Sequence, residues 1–170
     1  SAVDDLKEAQ EYIEEQNWDA ARGLCERALA LTSLDNDIKN RLLEIRGFTL
    51  IADRRYEEAL KDIESALKID PKYSAAYKDK GLVLAEMGRY DEAIRCYTNA
   101  LKIDENYAPA LYQMGKALQA KEMYLEAEEY YAKALELDSA YIEVHYELAN
   151  INNKRGNFES AANGYRNVIL

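Results

Sequence analysis

Apolar and polar residues recur with a helical period along most of the chain, and two adjacent segments show this most clearly. In residues 74–87 and 90–103, apolar side chains return every three or four positions, which is the spacing of one face of an α-helix. Gly88 and Arg89 separate the two segments and favour a tight turn. The pattern therefore predicts two amphipathic helices joined by a short turn, and it predicts no β-strand.

This helix-turn-helix pattern occurs five times. In each copy an aromatic residue is followed three positions later by alanine, and the aromatic residues are 38, 34, 34 and 34 positions apart. The five pairs are Trp18/Ala21, Tyr56/Ala59, Tyr90/Ala93, Tyr124/Ala127 and Phe158/Ala161. A small residue precedes each aromatic by nine positions, at Ala9, Gly47, Gly81, Gly115 and Ala149. A period of this length is typical of a solenoid of stacked repeats.

At these positions the chain resembles the tetratricopeptide-repeat (TPR) family. The third repeat carries the family pattern at Tyr77, Gly81, Leu84, Tyr90, Ala93, Tyr97 and Ala100. The resemblance implies an all-α fold, a right-handed α-solenoid of about five helix-turn-helix repeats that form one domain over residues 1–170. The repeats are expected at 2–39, 40–73, 74–107, 108–141 and, truncated, 142–170. The first repeat has four extra residues, which we expect in a longer loop around Thr32 to Lys39.

The resemblance also implies where a partner binds, because the first helices of such repeats line a concave groove that holds peptides or helical segments. The residues expected in the groove are Phe48, Lys78, Leu82, Tyr112, Gln113, Lys116, Tyr146 and Asn150. Phe48, Leu82, Tyr112 and Tyr146 are expected near one recurring column. Leu82, Tyr112 and Tyr146 would be anchors, and the polar residues would bond the polar groups of the partner. The alternative is that the two tyrosines only cover the groove wall.

One specialised ligand is not expected. Family members that bind the C-terminal tails of Hsp70/Hsp90 chaperones share a clamp of lysine, asparagine and arginine side chains. Lys78 matches the first lysine, but Leu82 stands at an asparagine position, and Glu143 and Glu147 replace the last lysine and arginine. Two carboxylates would repel an acidic tail. This clamp function is therefore excluded.

The charge of the chain narrows the possible partners. The net charge is −10, which argues against nucleic-acid binding, because that requires a basic face. Residues 102–147 carry four basic and ten acidic residues, a net −6, which favours a basic or neutral ligand near the C-terminal repeats.

No apolar run is long enough to insert into a membrane, and no signal-peptide pattern is present. Together with two widely spaced cysteines, this predicts a cytoplasmic protein with reduced thiols.

No constellation of residues predicts catalysis, a metal site or a cofactor. His145 is the single histidine and stands at a packing position, where a hydrogen-bonded structural role is expected. Cys25 is expected to be buried and inert, and Cys96 to be partly exposed. We therefore expect a protein that is not an enzyme, with a protein or peptide partner.

Two other functions remain open at this point. Val168, Ile169 and Leu170 are apolar and lie in a truncated repeat with no polar capping helix, so the chain could self-associate into a homo-oligomer or filament. It could also be the accessory domain of a larger protein.

Overall fold

The computed structural model describes residues 1–31 and 33–169, except for the side chain of Ile169. Within this part the chain forms ten α-helices and no strand, so the predicted all-α fold is confirmed. The helices are α1 (Ala2–Glu14), α2 (Trp18–Leu29), α3 (Asn36–Ala52), α4 (Tyr56–Ile69), α5 (Ser74–Glu86), α6 (Tyr90–Ile103), α7 (Ala108–Ala120), α8 (Tyr124–Leu137), α9 (Ile142–Lys154) and α10 (Phe158–Ile169).

The helices stack as a solenoid. Each odd-numbered helix forms an antiparallel hairpin with the helix that follows it, and each even-numbered helix also packs on the next odd-numbered one. The odd-numbered helices contact one another directly from α1 to α9, whereas the even-numbered helices make no such contacts within the described residues. The odd-numbered helices therefore form the inner, concave layer. None of the described helices combines the length and the apolar character needed to cross a membrane.

Each hairpin turn uses the same backbone geometry. The turns are three residues long, and the middle residue always has a positive φ angle between 57° and 79°. These residues are Gln16, Arg54, Gly88, Glu122 and Gly156. Only two of them are glycine, and a left-handed conformation costs a residue with a Cβ atom about 1 kcal/mol. The turn thus recurs even where the local sequence does not favour it.

The four extra residues of the first repeat do not lie where the sequence led us to expect them. Helix α3 has 17 residues where α5 has 13, the connection 30–35 is two residues longer than 70–73, and α2 is two residues shorter than α4. The side chain of Asp35 caps the helix by accepting a hydrogen bond from the Asp37 backbone N–H at 2.9 Å. The expected long loop is therefore wrong for Asn36 to Lys39, which are helical, while Thr32 lies outside the described residues.

The two helices of a hairpin fit together through a glycine and a large side chain. A Cβ atom added to Gly81 would lie 2.7 Å from Cδ1 of Tyr97, and Gly115 and Tyr131 have the same relation. Both tyrosine side chains are fully buried. Carbon atoms normally pack at about 3.5–4.0 Å, so only glycine leaves room for these rings. An aromatic ring of the second helix thus occupies the space that the glycine of the first helix leaves.

We expect Gly115→Ala to lower the free energy of unfolding by about 1–3 kcal/mol, because the added methyl group overlaps the ring of Tyr131. This loss exceeds the gain of up to about 1 kcal/mol that alanine normally brings to a helix interior. Urea unfolding followed by circular dichroism measures the difference.

Gly23→Ala in α2 is the matched control, because a Cβ atom at Gly23 meets no other atom within 4 Å. This variant should be more stable than the parent chain by about 0.5–1 kcal/mol. The packing account is contradicted if both substitutions stabilise the protein equally.

Candidate functional site

Three cavities lie in a row along the concave layer, and each is formed by neighbouring odd-numbered helices. The N-terminal cavity, of about 470 Å³, lies between α1, α3 and α5. The middle cavity, of about 210 Å³, lies between α5 and α7 and is also lined by Tyr90 and Tyr97 of α6. The C-terminal cavity, of about 360 Å³, lies between α7 and α9 and includes Tyr124 of α8. Together they form one segmented groove.

Five of the eight predicted groove residues line these cavities. Phe48 and Lys78 line the N-terminal cavity, while Leu82, Gln113 and Lys116 line the middle one. Lys116 also reaches the C-terminal cavity. The lining of the three cavities does not include Tyr112, Tyr146 or Asn150.

The apolar groove residues belong to two adjacent rows of the inner layer. Residues 34 positions apart occupy equivalent places, and by this spacing Phe48 and Leu82 share a row with Lys116 and Asn150. Tyr112 and Tyr146 stand four positions earlier in their helices, in a second row that begins with Glu44 and Lys78. Positions four apart share one face of a helix, so the two rows run side by side.

The two candidate tyrosines have different surroundings. Tyr112 is half-buried, with its ring centroid 5.4 Å from that of Tyr141 and 6.2 Å from that of Tyr131. The ammonium of Lys116 lies 5.6 Å from the Tyr112 ring centroid, and burial raises the pKa of the Tyr112 hydroxyl. Tyr146 is 48% exposed and leans on Tyr165. This packing favours a wall role for Tyr112 and leaves Tyr146 as the accessible aromatic side chain.

A hydrogen-bond network links the groove wall to the helices behind it. Tyr165 donates to Oδ1 of Asn150 at 2.6 Å, and Nδ2 of Asn150 donates to Glu147 at 3.1 Å. Nε2 of Gln119 donates to the same Glu147 oxygen at 2.9 Å, and the hydroxyl of Tyr131 donates to Gln119 at 2.8 Å. Asn150 is therefore already engaged by its own chain. Sequence reasoning missed the roles of Gln119 and Glu147, because the repeat pattern does not specify polar pairs between repeats.

Lys78 is also engaged within the protein. Its Nζ atom lies 2.6 Å from Oδ1 of Asp79 and 6.0 Å from the ring centroid of Phe48. The carboxyl group of Asp79 is fully buried. Burial raises the pKa of this carboxyl to about 6, while the nearby Lys78 ammonium lowers it. Lys78 therefore forms part of a buried pair, which the sequence alone did not indicate.

Glu44 stands beside Lys78 in the inner layer and is held by Tyr73, which precedes α5 at the boundary with the third repeat. The hydroxyl of Tyr73 donates to Oε2 of Glu44 at 2.5 Å. Burial, together with the charge of Glu44, raises the pKa of the Tyr73 hydroxyl. Tyr73 packs at the boundary between the second and third repeats, and it also orients a groove carboxylate.

The reactive side chains lie inside the packing. Cys25 is buried, which raises the pKa of its thiol to about 12. Cys96 is only 9% exposed, so its expected partial exposure is wrong; it packs in the same apolar cluster as Tyr97 and Leu111. Nε2 of His145 donates to the Ser139 carbonyl at 2.8 Å, which confirms a structural role. Among the described residues, no group of three or more His, Cys, Asp or Glu side chains is arranged to hold a metal ion.

Three sequence-family models match the central part of the chain. Two are described as "Tetratricopeptide repeat" and match residues 50–96 and 108–141, and one is described as "TPR repeat" and matches residues 81–122. Together they span residues 50–141, which is 92 of the 170 residues.

Similar proteins are known in sequence and in structure. The DnaJ homolog subfamily C member 7 homolog of Dictyostelium discoideum is 34% identical over 71 residues, which are 42% of this chain and 13% of that protein. TTC0263, a TPR protein of Thermus thermophilus, shares 20% identity with a TM-score of 0.87, covering 99% of this chain and 90% of that one. YrrB, a TPR protein with an unusual peptide-binding site, shares 21% identity with a TM-score of 0.64, covering 99% and 85%. At these identities the two structures show a shared fold.

The buried Asp79 carboxyl predicts a specific pH dependence of stability. Its pKa is about 6 in the folded chain and 3.8 in the reference state. The protonated carboxyl therefore favours the folded state, and its contribution to the free energy of unfolding is full below about pH 4 and is lost as the pH rises through 6. The free energy of unfolding should therefore fall relative to Asp79→Asn between pH 4 and 6, by up to roughly 3 kcal/mol.

Parallel urea titrations of the parent chain and of Asp79→Asn at several pH values measure this difference. Because the two proteins share all other titrating groups, their subtraction isolates Asp79. A difference that stays constant, or that grows with pH, would contradict the assignment.

Proposed function

Because the chain belongs to the TPR family of protein-interaction scaffolds, we propose that it holds an extended peptide or a helical segment of a partner protein in its concave groove. In this proposal it acts without catalysis, as one domain of five repeats. The observation that carries it is the row of three cavities along the inner helices. The cytoplasmic location stays a prediction from the sequence.

The middle of the groove offers the mixture of surfaces that peptide recognition requires. Leu82 supplies apolar area, and Gln113 and Lys116 supply hydrogen-bond donors beside it. Tyr146 stands in the neighbouring row and is accessible on its outer side. Aromatic side chains of this kind contribute much of the binding energy of protein interfaces. We therefore assign the anchoring role to Leu82 and Tyr146.

The groove is not suited to an acidic chaperone tail. Lys78 is paired with Asp79, so its charge is compensated within the chain. Glu143 is exposed and Glu147 is partly exposed at the positions where such a clamp has basic side chains. The local charges thus support the exclusion drawn from the sequence.

Self-association is the second candidate, and one observation favours it. The aromatic residue that begins the second helix of a repeat contacts a side chain of the following repeat in two cases. Trp18 contacts the ring of Phe48, and Tyr124 contacts the guanidinium of Arg155. Phe158 holds the equivalent position in α10 and is 69% exposed. A second copy of the chain could cover it. Of the terminal apolar residues, Val168 is half-buried, while the Ile169 side chain and Leu170 lie outside the described residues.

We expect Tyr146→Ala and Leu82→Ala each to weaken peptide binding about 10- to 30-fold, because each removes a large apolar contact from the groove. The probe is a fluorescently labelled peptide that the chain selects from a displayed library of random 12-residue peptides. Fluorescence anisotropy measures its dissociation constant.

Leu125→Ala is the matched control, since Leu125 is 69% exposed on α8, outside the lining of the groove cavities. This variant should bind like the parent chain. Groove binding is rejected if all three variants bind with equal affinity, or if no selected peptide binds in solution.

Self-association makes a different prediction. If Phe158 forms the contact, the mass measured by light scattering should rise with protein concentration, and Phe158→Ser should return it to 19.5 kDa at all concentrations. A monomer mass for the parent chain across the dilution series would exclude this second candidate.

A further inference from the structure

The N-terminal cavity differs from the other two in its charge. Its apolar walls come from Ile13, Ile45 and Phe48, and carboxylates stand beside them at Glu14 and Glu44. Neither carboxylate forms an ion pair with any residue that the structure describes. A large cavity thus combines apolar surface with two carboxylates that form no close ion pair among the described residues.

The cation already present in this cavity does not cancel those charges. Lys78 lies 2.6 Å from Asp79, and this pair is neutral as a unit. The lining itself carries Glu14, Glu44 and Lys78, a net −1, and the buried Asp79 paired with Lys78 brings the net charge at the cavity to about −2. The ring of Phe48 and the two isoleucines make the surroundings less polar than bulk water, which strengthens the attraction for an incoming cation.

Glu44 is also pre-oriented. Tyr73 donates its hydroxyl proton to Oε2 at 2.5 Å, so that oxygen is fixed while Oε1 keeps its capacity to accept a hydrogen bond. Glu44 is only partly exposed, whereas Glu14 is exposed at the cavity edge. A positioned carboxylate loses little conformational entropy when it binds a ligand.

The other two cavities are less acidic. Lys116 lines both of them and Lys154 lines the C-terminal one, so together they set two cations against the three glutamates Glu86, Glu122 and Glu147. The net −6 of residues 102–147 therefore does not make the C-terminal end of the groove acidic, because much of that charge lies on other surfaces. The acidic end of the groove is the N-terminal one.

We propose that the N-terminal cavity is a side-chain pocket for an arginine of the partner peptide. The aliphatic part of the arginine would contact Ile13, Ile45 and Phe48, as long basic side chains do on apolar surfaces. The guanidinium has several donors in one plane and is suited to two carboxylates at once, whereas a lysine ammonium is a compact point charge. This inference rests on the proposed function, since it assigns one pocket of the same groove.

The test begins with the displayed library of 12-residue peptides. Peptides selected by the parent chain should be enriched in arginine at one position, and a Glu14→Gln/Glu44→Gln variant should select peptides without that enrichment. Glutamine keeps the size of the side chain, and its amide oxygen can still accept the hydrogen bond from Tyr73. Glu129→Gln on α8 is the control, because it removes an equal charge from an exposed site that lines none of the three cavities.

A double-mutant cycle then isolates the contact between the peptide arginine and Glu44. One selected peptide and its Arg→Gln form are titrated calorimetrically into the parent chain, Glu44→Gln and Glu129→Gln. We expect Glu44→Gln to weaken the arginine peptide about tenfold and to leave the glutamine peptide unchanged. Glu129→Gln should change neither affinity, apart from a small uniform effect that salt screens.

The outcomes separate this inference from the proposed function. Peptides that depend on Tyr146 and Leu82 but show no arginine preference, or an equal effect of Glu44→Gln on both peptides, overturn the arginine pocket and leave groove binding intact. Binding that depends on none of the groove residues overturns both proposals. Enrichment of lysine equal to that of arginine would overturn the preference for the planar guanidinium.

Discussion

The fit between a small residue on the first helix and a large side chain on the second is the interaction on which the solenoid depends. The rings of Tyr97 and Tyr131 occupy the space that a side chain at Gly81 or Gly115 would fill. A glycine in a helix interior costs about 1 kcal/mol relative to alanine, so its recurrence there indicates a packing requirement. Because the ring lies between the two helices of a hairpin, the same contact sets the distance between the odd-numbered helix of the inner layer and the even-numbered helix behind it.

The other repeats keep this fit with different residues. Gly47 faces the smaller Ile63, with a separation of 3.2 Å from an added Cβ atom. In the last repeat the glycine has moved to the second helix, where a Cβ atom on Gly164 would lie 2.8 Å from that of Ala149. Close approach in the last repeat thus comes from two small residues, whereas the third and fourth repeats pair a glycine with an aromatic ring. The same packing reaches the groove, since Tyr97 lines the middle cavity and Tyr131 holds Gln119 of the inner layer.

The sequence predicted the features that repeat, and it missed those that occur once. The spacing of aromatic residues and alanines defined the helix pairs, and five of eight groove residues do line cavities. The periodic pattern could not show that Asp79 is buried beside Lys78, or that Tyr112 packs against Tyr141, because both contacts depend on side chains from one particular repeat. The extension of α3 was missed for a similar reason, since extra residues near a turn can lengthen either a loop or a helix. Electrostatic differences between cavities need the three-dimensional arrangement, because most charges of residues 102–147 lie outside the groove.

Amide hydrogen exchange with and without a selected peptide tests the central claim, binding in the concave groove, most directly. The account predicts that the peptide slows exchange mainly in the odd-numbered helices α3, α5, α7 and α9, with little change in α4, α6 and α8. Slower exchange confined to the even-numbered helices, or to α10 alone, would contradict it.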